Sequence, residues 1–246
     1  LGVVHRTLEV DVAPGNVQSQ ARVARYGAMV QWIEERDLGG LATAHHADDQ
    51  AETLFMRLNR ASGVAGLAGT RARGVVPHSN IPLVRPLLNW RRADLAKIVE
   101  AAGITAAQDP TNRDDAYDRV RIRKALAQAN WLDVAAVAQS AAHLADAERA
   151  LVWAAWREWE ECVTPQEPGM FYCPRAPRAV AIKVIARIVA ELDGQEPRGG
   201  VAARLYDDLI AGRPGSIGDL IARPVGGGWS FSKAPKRRSG TWRKET

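Results

Sequence analysis

Apolar and polar positions alternate along this chain with periods that change from segment to segment. Leu1 to Val12 alternates loosely through Val3, Val4, Leu8, Val10 and Val12 and stops at Ala13-Pro14-Gly15, which predicts a strand and a turn. From Gln18 to Arg36 the apolar positions Ala21, Ala24, Ala28, Met29, Trp32 and Ile33 keep helical spacing, with Gly39-Gly40 as the expected stop. Leu41 to Ala44 is a short apolar run that reads as a buried strand, and a helix opens in the polar stretch behind it. On a wheel of about 100° per residue, Glu52, Thr53, Met56 and Arg60 fall within roughly 60° of Asp49, while Ala51, Leu54, Phe55 and Leu58 lie opposite. This helix is predicted to bury its Leu/Phe face and to present Asp49 and Glu52 together. Strand, helix, strand, helix through residue 60 describes parallel α/β winding.

Beyond it, Ala61 to Gly69 is small and glycine-rich, a flexible connector or a backbone platform for a ligand. Arg73 to Leu88 reads as a hairpin turning at Pro77-His78-Ser79-Asn80, and Arg91 to Ala102 as a helix with Leu95, Ile98, Val99 and Ala102 inward and Gly103 at its end. Asp109 to Asp115 is a turn rich in side chains that bond backbone groups. In the helical pattern after Tyr117, Arg119 and Arg123 share one face, spaced to clamp a phosphate or a carboxylate; pairing with aspartates of the same chain is the alternative. Asp133 to Cys162 is a long alanine-rich helix of ~45 Å. Pro165 to Pro177 reads as a broken connector, Arg178 to Leu192 and Val201 to Ala211 as short helices, and Ile217 to Ile221 with Trp229 to Lys233 as a hairpin around Gly226-Gly227-Gly228. The layout expected is a domain over 1–130, a linker helix over 131–164 and a smaller, mostly helical C-terminal domain over 165–246.

Composition narrows the class. With 246 residues, 46% of them hydrophobic, the chain has ample material for a packed core, and no apolar run approaches the ~20 residues that span a bilayer. No signal-peptide pattern opens it, so the expected compartment is the cytoplasm, with no membrane partner. Cys162 and Cys173, the only cysteines, form no CxxC pair and suggest neither a disulfide framework nor a structural metal site. The net charge of +5 is concentrated at the end, where Lys233, Lys236, Arg237, Arg238, Arg243 and Lys244 face Glu245 alone. Such a tail, with Trp242 among the charges, suits a phosphate backbone and a stacking base; a solvated terminus accounts for it equally well.

The candidate chemistry concentrates in His45-His46-Ala47-Asp48-Asp49-Gln50-Ala51-Glu52-Thr53, at the carboxyl end of a strand where open α/β sheets bind ligands. Helix capping by His45 and Asp48 explains part of it. Asp49 and Glu52 lie past the cap, which favours a metal-phosphate or amine-binding role. Arg22 and Arg25, beside Tyr26, are spaced to reach a phosphate or to form a solvated face.

Several motifs in order give a more specific reading: Ala21-Arg22-Val23-Ala24-Arg25-Tyr26, the His45 to Thr53 run, Arg60-Ala61-Ser62-Gly63 through Gly66-Leu67-Ala68-Gly69, Val84-Arg85-Pro86-Leu87-Leu88 and Asp109-Pro110-Thr111-Asn112-Arg113. Together they resemble the tRNA(Ile)-lysidine synthetases of the N-type ATP pyrophosphatase (PP-loop) group. The resemblance implies a parallel-sheet α/β domain of the adenine nucleotide alpha hydrolase type. It also implies a tRNA-modifying ligase that uses ATP and Mg²⁺ to adenylate the C2 oxygen of the wobble cytidine in a CAU anticodon, then joins free L-lysine, with release of AMP and pyrophosphate. By the same resemblance Asp49 and Glu52 hold the lysine, His45, His46 and Asp48 lie near ATP and Mg²⁺, and Arg119 and Arg123 act at the reacting centre. Arg22, Arg25, Asn112, Arg113, Arg121, Lys236, Arg237 and Arg238 are the expected substrate or RNA contacts. A homodimer is among the possible assemblies.

The chain departs from that pattern in two places. Arg119-Val120-Arg121 stands where the family usually has Arg-Asn-Arg, and the SGGxDS loop that opens family members is not in the sequence. About two βα units, on the order of 60 residues, are expected to precede Leu1, so the expectation is a fragment of a longer protein. Two other readings compete. Ala44 to Asp49 is faintly similar to the AHPDD run of zinc-dependent N-deacetylases, though it lacks the proline and a third ligand. A non-catalytic RNA-binding module would instead rest on the basic tail.

Overall fold

The computed structural model describes residues 2–12, 17–106, 117–197 and 199–234, which divide into two compact units, Leu1–Asp146 and Ala147–Thr246.

The first unit opens without a strand. Residues 2–12 form no regular element, and Val3 and Val4 are exposed. The expected strand is absent because no described backbone pairs with this segment: neither sheet includes residues 2–12. Helix α1, Val17–Glu35, follows and packs Tyr26, Met29 and Val30 against the sheet. Its stop lies earlier than Gly39-Gly40: Asp37 takes a left-handed φ of 51°, and Leu38 N–H donates to the Ile33 carbonyl at 3.0 Å. Aspartate is one of the few residues that tolerates that conformation.

Strand β1 is only Leu41–Ala42, then come α2, Ala47–Leu58, and the single turn α3, Val64–Leu67, where a connector or platform was expected. Strands β2, Arg73–Val75, and β3, Pro82–Val84, form the anticipated hairpin, with Val76 N–H closing it onto the Ile81 carbonyl at 2.9 Å. The sheet order is β1-β3-β2, with β1 and β3 parallel and β2 and β3 antiparallel, so it is mixed rather than wholly parallel.

Helix α4, Arg92–Ala101, half-buries Leu95 and Val99 but leaves Ile98 and Ala102 exposed, against expectation. Helix α5, Asp118–Gln128, packs beside α2 through buried Val120. The division between the units falls inside α6, Val134–Cys162.

The second unit is built on a five-stranded antiparallel sheet, ordered β4-β5-β8-β7-β6. Its first strands, β4 (Val163–Gln166) and β5 (Gly169–Tyr172), occupy the segment expected to be a broken connector. Proline is tolerated there because β4 is an edge strand, where a missing N–H removes no ladder bond. Helices α7, Arg178–Asp193, and α8, Gly199–Ile210, cover the sheet, and β6 (Gly215–Ile217), β7 (Leu220–Val225) and β8 (Gly228–Lys233) complete it. The expected hairpin is shifted: β7 pairs with β8 across Gly226-Gly227, both at positive φ, while Ile217 belongs to β6.

Tyr172 and Trp229 meet edge to face in the core, with Val184, Ile185, Ile188 and Phe231 around them. The buried Glu158 carboxylate accepts from Tyr172 Oη at 3.1 Å and from the backbone N–H groups of Arg175 at 2.7 Å and Ala176 at 3.0 Å. The unit keeps its helices, but the sheet is what the mostly helical expectation missed. No described helix is long and apolar enough to cross a membrane.

Candidate functional site

The run His45 to Thr53 leaves the carboxyl end of β1 and enters α2. His46 is the N-cap: its Nδ1 accepts the Asp49 N–H at 3.4 Å while Asp49 Oδ2 accepts the His46 N–H at 3.0 Å, a reciprocal capping box. Thr53 Oγ1 donates to the Asp49 carbonyl at 2.7 Å. Asp49 therefore serves the cap with one oxygen, and its side chain stays 16% exposed.

Asp48 points elsewhere. Its carboxylate receives Arg91 Nε and Nη2, each at 3.3 Å, and the Arg92 N–H at 2.8 Å. Burial alone would raise this carboxyl, but the Arg92 N–H and the Arg91 guanidinium hold it below the usual range. Arg91 was not anticipated, since nothing in its local sequence distinguishes it from a solvated arginine.

Glu52 is 2% exposed, although the helical wheel put it on the polar face. Its charge is met by α5. Arg123 Nε lies 2.6 Å from Oε1 and Nη2 lies 3.2 Å from Oε2, a forked pair. Arg119 Nε stands 3.3 Å from Oε2 as an ion pair, and its Nη2 donates to Thr53 Oγ1 at 3.1 Å. Arg119 and Arg123 thus clamp a carboxylate, as their spacing allowed, and it belongs to the chain itself. Leu58, expected to be buried, is 49% exposed, so α2 turns its Glu52 side toward α5.

His45 occupies the middle of the site. Its Nδ1 lies 2.9 Å from Thr43 Oγ1. Burial first, then the guanidiniums of Arg85, Arg119 and Arg22, outweigh the opposing pull of Asp49 and push its pKa below 6.5. These arginines come from three elements. Arg22 lies on α1, where it and exposed Arg25 stack on Tyr26 at 5.2 and 5.7 Å from the ring centroid. Arg85 follows β3, whose parallel pairing with β1 delivers it to the same sheet edge as His45. Arg119 comes from α5. In the sequence Arg85 stands out only as part of the Val84 to Leu88 motif; its place just past a strand's carboxyl end is the signal that marks it.

Arg121 pairs with Asp118, which also accepts from Arg60 at 3.2 Å, outside this cluster. Asn112, Arg113, Lys236, Arg237 and Arg238 lie outside the described residues.

Among the described residues no group of three or more His, Cys, Asp and Glu side chains is arranged to hold a metal ion. His46 Nδ1 is engaged in the cap and the Asp48 carboxylate is spanned by Arg91.

A PP-loop domain model matches residues 1–130. The chain is 43% identical over 241 residues to a tRNA(Ile)-lysidine synthase of Novosphingobium aromaticivorans, covering 97% of this chain and 74% of that protein. It is 33% identical over 244 residues to the enzyme of that name from Zymomonas mobilis, again covering 97% and 74%. A third, from Methylobacterium nodulans, is 34% identical over 262 residues, covering 98% and 76%. The chain belongs to the tRNA(Ile)-lysidine synthase family.

Proposed function

We propose that this chain is a tRNA-modifying ligase that joins lysine to the wobble cytidine of the CAU anticodon of tRNA(Ile). Family membership supports the reaction class. The observation that supports the site assignment is that the parallel pairing of β1 and β3 brings His45 and Arg85 to one sheet edge, where α2 begins with the part-exposed carboxylate of Asp49 and binds Arg119 through Thr53. An acid suits an amine and the arginines suit phosphates. In this reading the cytidine C2 oxygen takes the adenylyl group of ATP with loss of pyrophosphate, and the lysine amine then displaces AMP.

Asp49 holds the lysine amine through the oxygen its cap leaves free, and the amine sheds a proton before it attacks. His45, kept neutral near pH 7, adds no competing cation. Glu52, sealed by two arginines, holds Arg119 and Arg123 in place rather than gripping lysine directly. This reassigns one of the two carboxylates that the family resemblance gave to lysine. By the family resemblance His45, His46 and Asp48 would lie beside ATP and its Mg²⁺, which would supply neutralising charge to the phosphates. Asn112, Arg113 and the basic tail stay in this proposal as RNA contacts on sequence grounds, within a layout of a catalytic domain over 1–130, a linker helix over 131–164 and a tRNA-binding domain over 165–246.

The test is incorporation of labelled lysine into a tRNA(Ile) transcript bearing CAU, using the full gene product. The expected result is one AMP released per lysine joined, and none on a transcript with a changed wobble base. Stoichiometric zinc in the purified protein with no lysine incorporated would defeat the proposal.

A further inference from the structure

One buried polar side chain of α2 has no place in the chemistry above. Gln50 is 5% exposed, and a buried amide is costly unless both its ends are bonded. Both are: Nε2 donates to the Thr70 carbonyl at 2.9 Å, and Oε1 accepts the Thr70 N–H at 2.7 Å. The side chain thus offers Thr70 the donor and acceptor that a neighbouring strand would. The approach depends on Gly69, at φ 62°, where an added Cβ would stand 2.7 Å from Gln50 Oε1.

The two residues after Thr70 give this clamp its direction. The Arg71 carbonyl accepts from Arg85 Nη1 at 2.6 Å, and Arg85 N–H donates to the Ala72 carbonyl at 2.8 Å. Arg71 in turn reaches back to the Ala68 carbonyl at 2.9 Å. Arg85 is therefore held by the same short backbone segment that Gln50 holds. Its Nε is buried with no hydrogen-bond partner among the described residues, and its charge lies close enough to His45 to depress that imidazole.

We propose that Gln50 is a positioning residue for Arg85. By fixing the Thr70–Arg71 backbone it keeps one arm of the guanidinium anchored, so that the long arginine stem is pre-organised to meet a nucleotide phosphate beside His45. The inference rests on the reading above, in which Arg85 faces the ATP phosphates.

The experiment is a double-mutant cycle on the full gene product, with KM measured separately for ATP and lysine, and tRNA affinity by filter binding. Gln50→Met keeps the length and loses both bonds. It should raise the ATP KM about tenfold, the scale of one lost hydrogen bond at ~1.4 kcal/mol per factor of ten, with lysine KM and tRNA affinity moving less than about twofold. On an Arg85→Ala background the same change should leave the ATP KM where Arg85→Ala put it, because the two act through one contact. Gln50→Asn keeps a neutral amide but falls one methylene short of Thr70; it should show a rise of the same selectivity, and stands in if Gln50→Met does not fold. Equal losses toward all three substrates, or full additivity with Arg85→Ala, would overturn the positioning role. An unchanged ATP KM in Arg85→Ala alone would instead overturn the phosphate reading beneath it.

Discussion

Glu52 and Arg123, 71 positions apart in the chain, form a forked ion pair in which Nε lies 2.6 Å from Oε1 and Nη2 lies 3.2 Å from Oε2. The pair ties α5 to the site helix α2 and carries Arg119 with it. Such an ion pair adds little net stability over apolar residues of similar size, and breaking it by neutralising Glu52 costs about 1–3 kcal/mol, because the stranded Arg119 and Arg123 side chains are 42% and 29% exposed and keep part of their hydration. Glu52→Gln should therefore lose stability of that order in urea unfolding, whereas Glu52→Leu combined with Arg123→Met should recover much of it. Both should lose lysine transfer, since Arg119 is no longer held. Recovery of activity along with stability in the double variant would show that the arginines act only as structure.

Asp49→Asn keeps an oxygen for the His46 N–H, so the capping box and the fold should survive. The charge-assisted contact to the lysine amine is lost, worth ~1.5–3 kcal/mol, or about 10- to 100-fold. Lysidine formation should fall by that factor at low lysine, with tRNA binding unchanged by filter assay. Wild-type rates would remove Asp49 from the site.

His45 has a folded pKa below its ordinary 6.5, through burial first and then through Arg85, Arg119 and Arg22, against Asp49. For such a group the unfolded chain binds the proton more readily. Its contribution to stability is complete above about pH 6.5 and is lost as pH falls from there to the lower folded value. Imidazole resonances followed by NMR should place the His45 midpoint below 6.5, and Arg85→Ala should move it upward. A midpoint that ignores Arg85 would separate the two residues.

In the second unit, Glu158 satisfies Tyr172 Oη and two backbone N–H groups from within the core. Burial would raise its carboxyl, yet the Arg175 and Ala176 N–H groups and the Tyr172 hydroxyl hold it below 4.5, so its contribution persists above that value and is lost as pH falls through the lower folded pKa. Glu158→Ala leaves the buried Tyr172 hydroxyl unpaired at about 1–3 kcal/mol, with a smaller loss from the part-buried Arg175 and Ala176 N–H groups, which water can reach. Thermal unfolding should show a clear drop, with Glu158→Gln intermediate because it keeps an acceptor.

The sequence by itself determined the helices, because their apolar spacing is local: α1, α2, α5, α7 and α8 all form close to where periodicity put them. It also placed the His45 to Thr53 run between a strand and a helix, as the structure has it, and strand ends in an α/β sheet are where side chains converge. Tertiary structure decided what each carboxylate does. Asp48, Asp49 and Glu52 are alike in sequence terms, yet one meets Arg91, one caps its own helix and stays open, and one is sealed by arginines 67 and 71 positions away. It likewise decided that residues 2–12 form no strand while the proline-bearing segment after Cys162 forms two. A strand exists only where another backbone accepts its hydrogen bonds, and a buried charge only where an opposite one reaches it; both conditions are set by distant residues, which no local pattern contains.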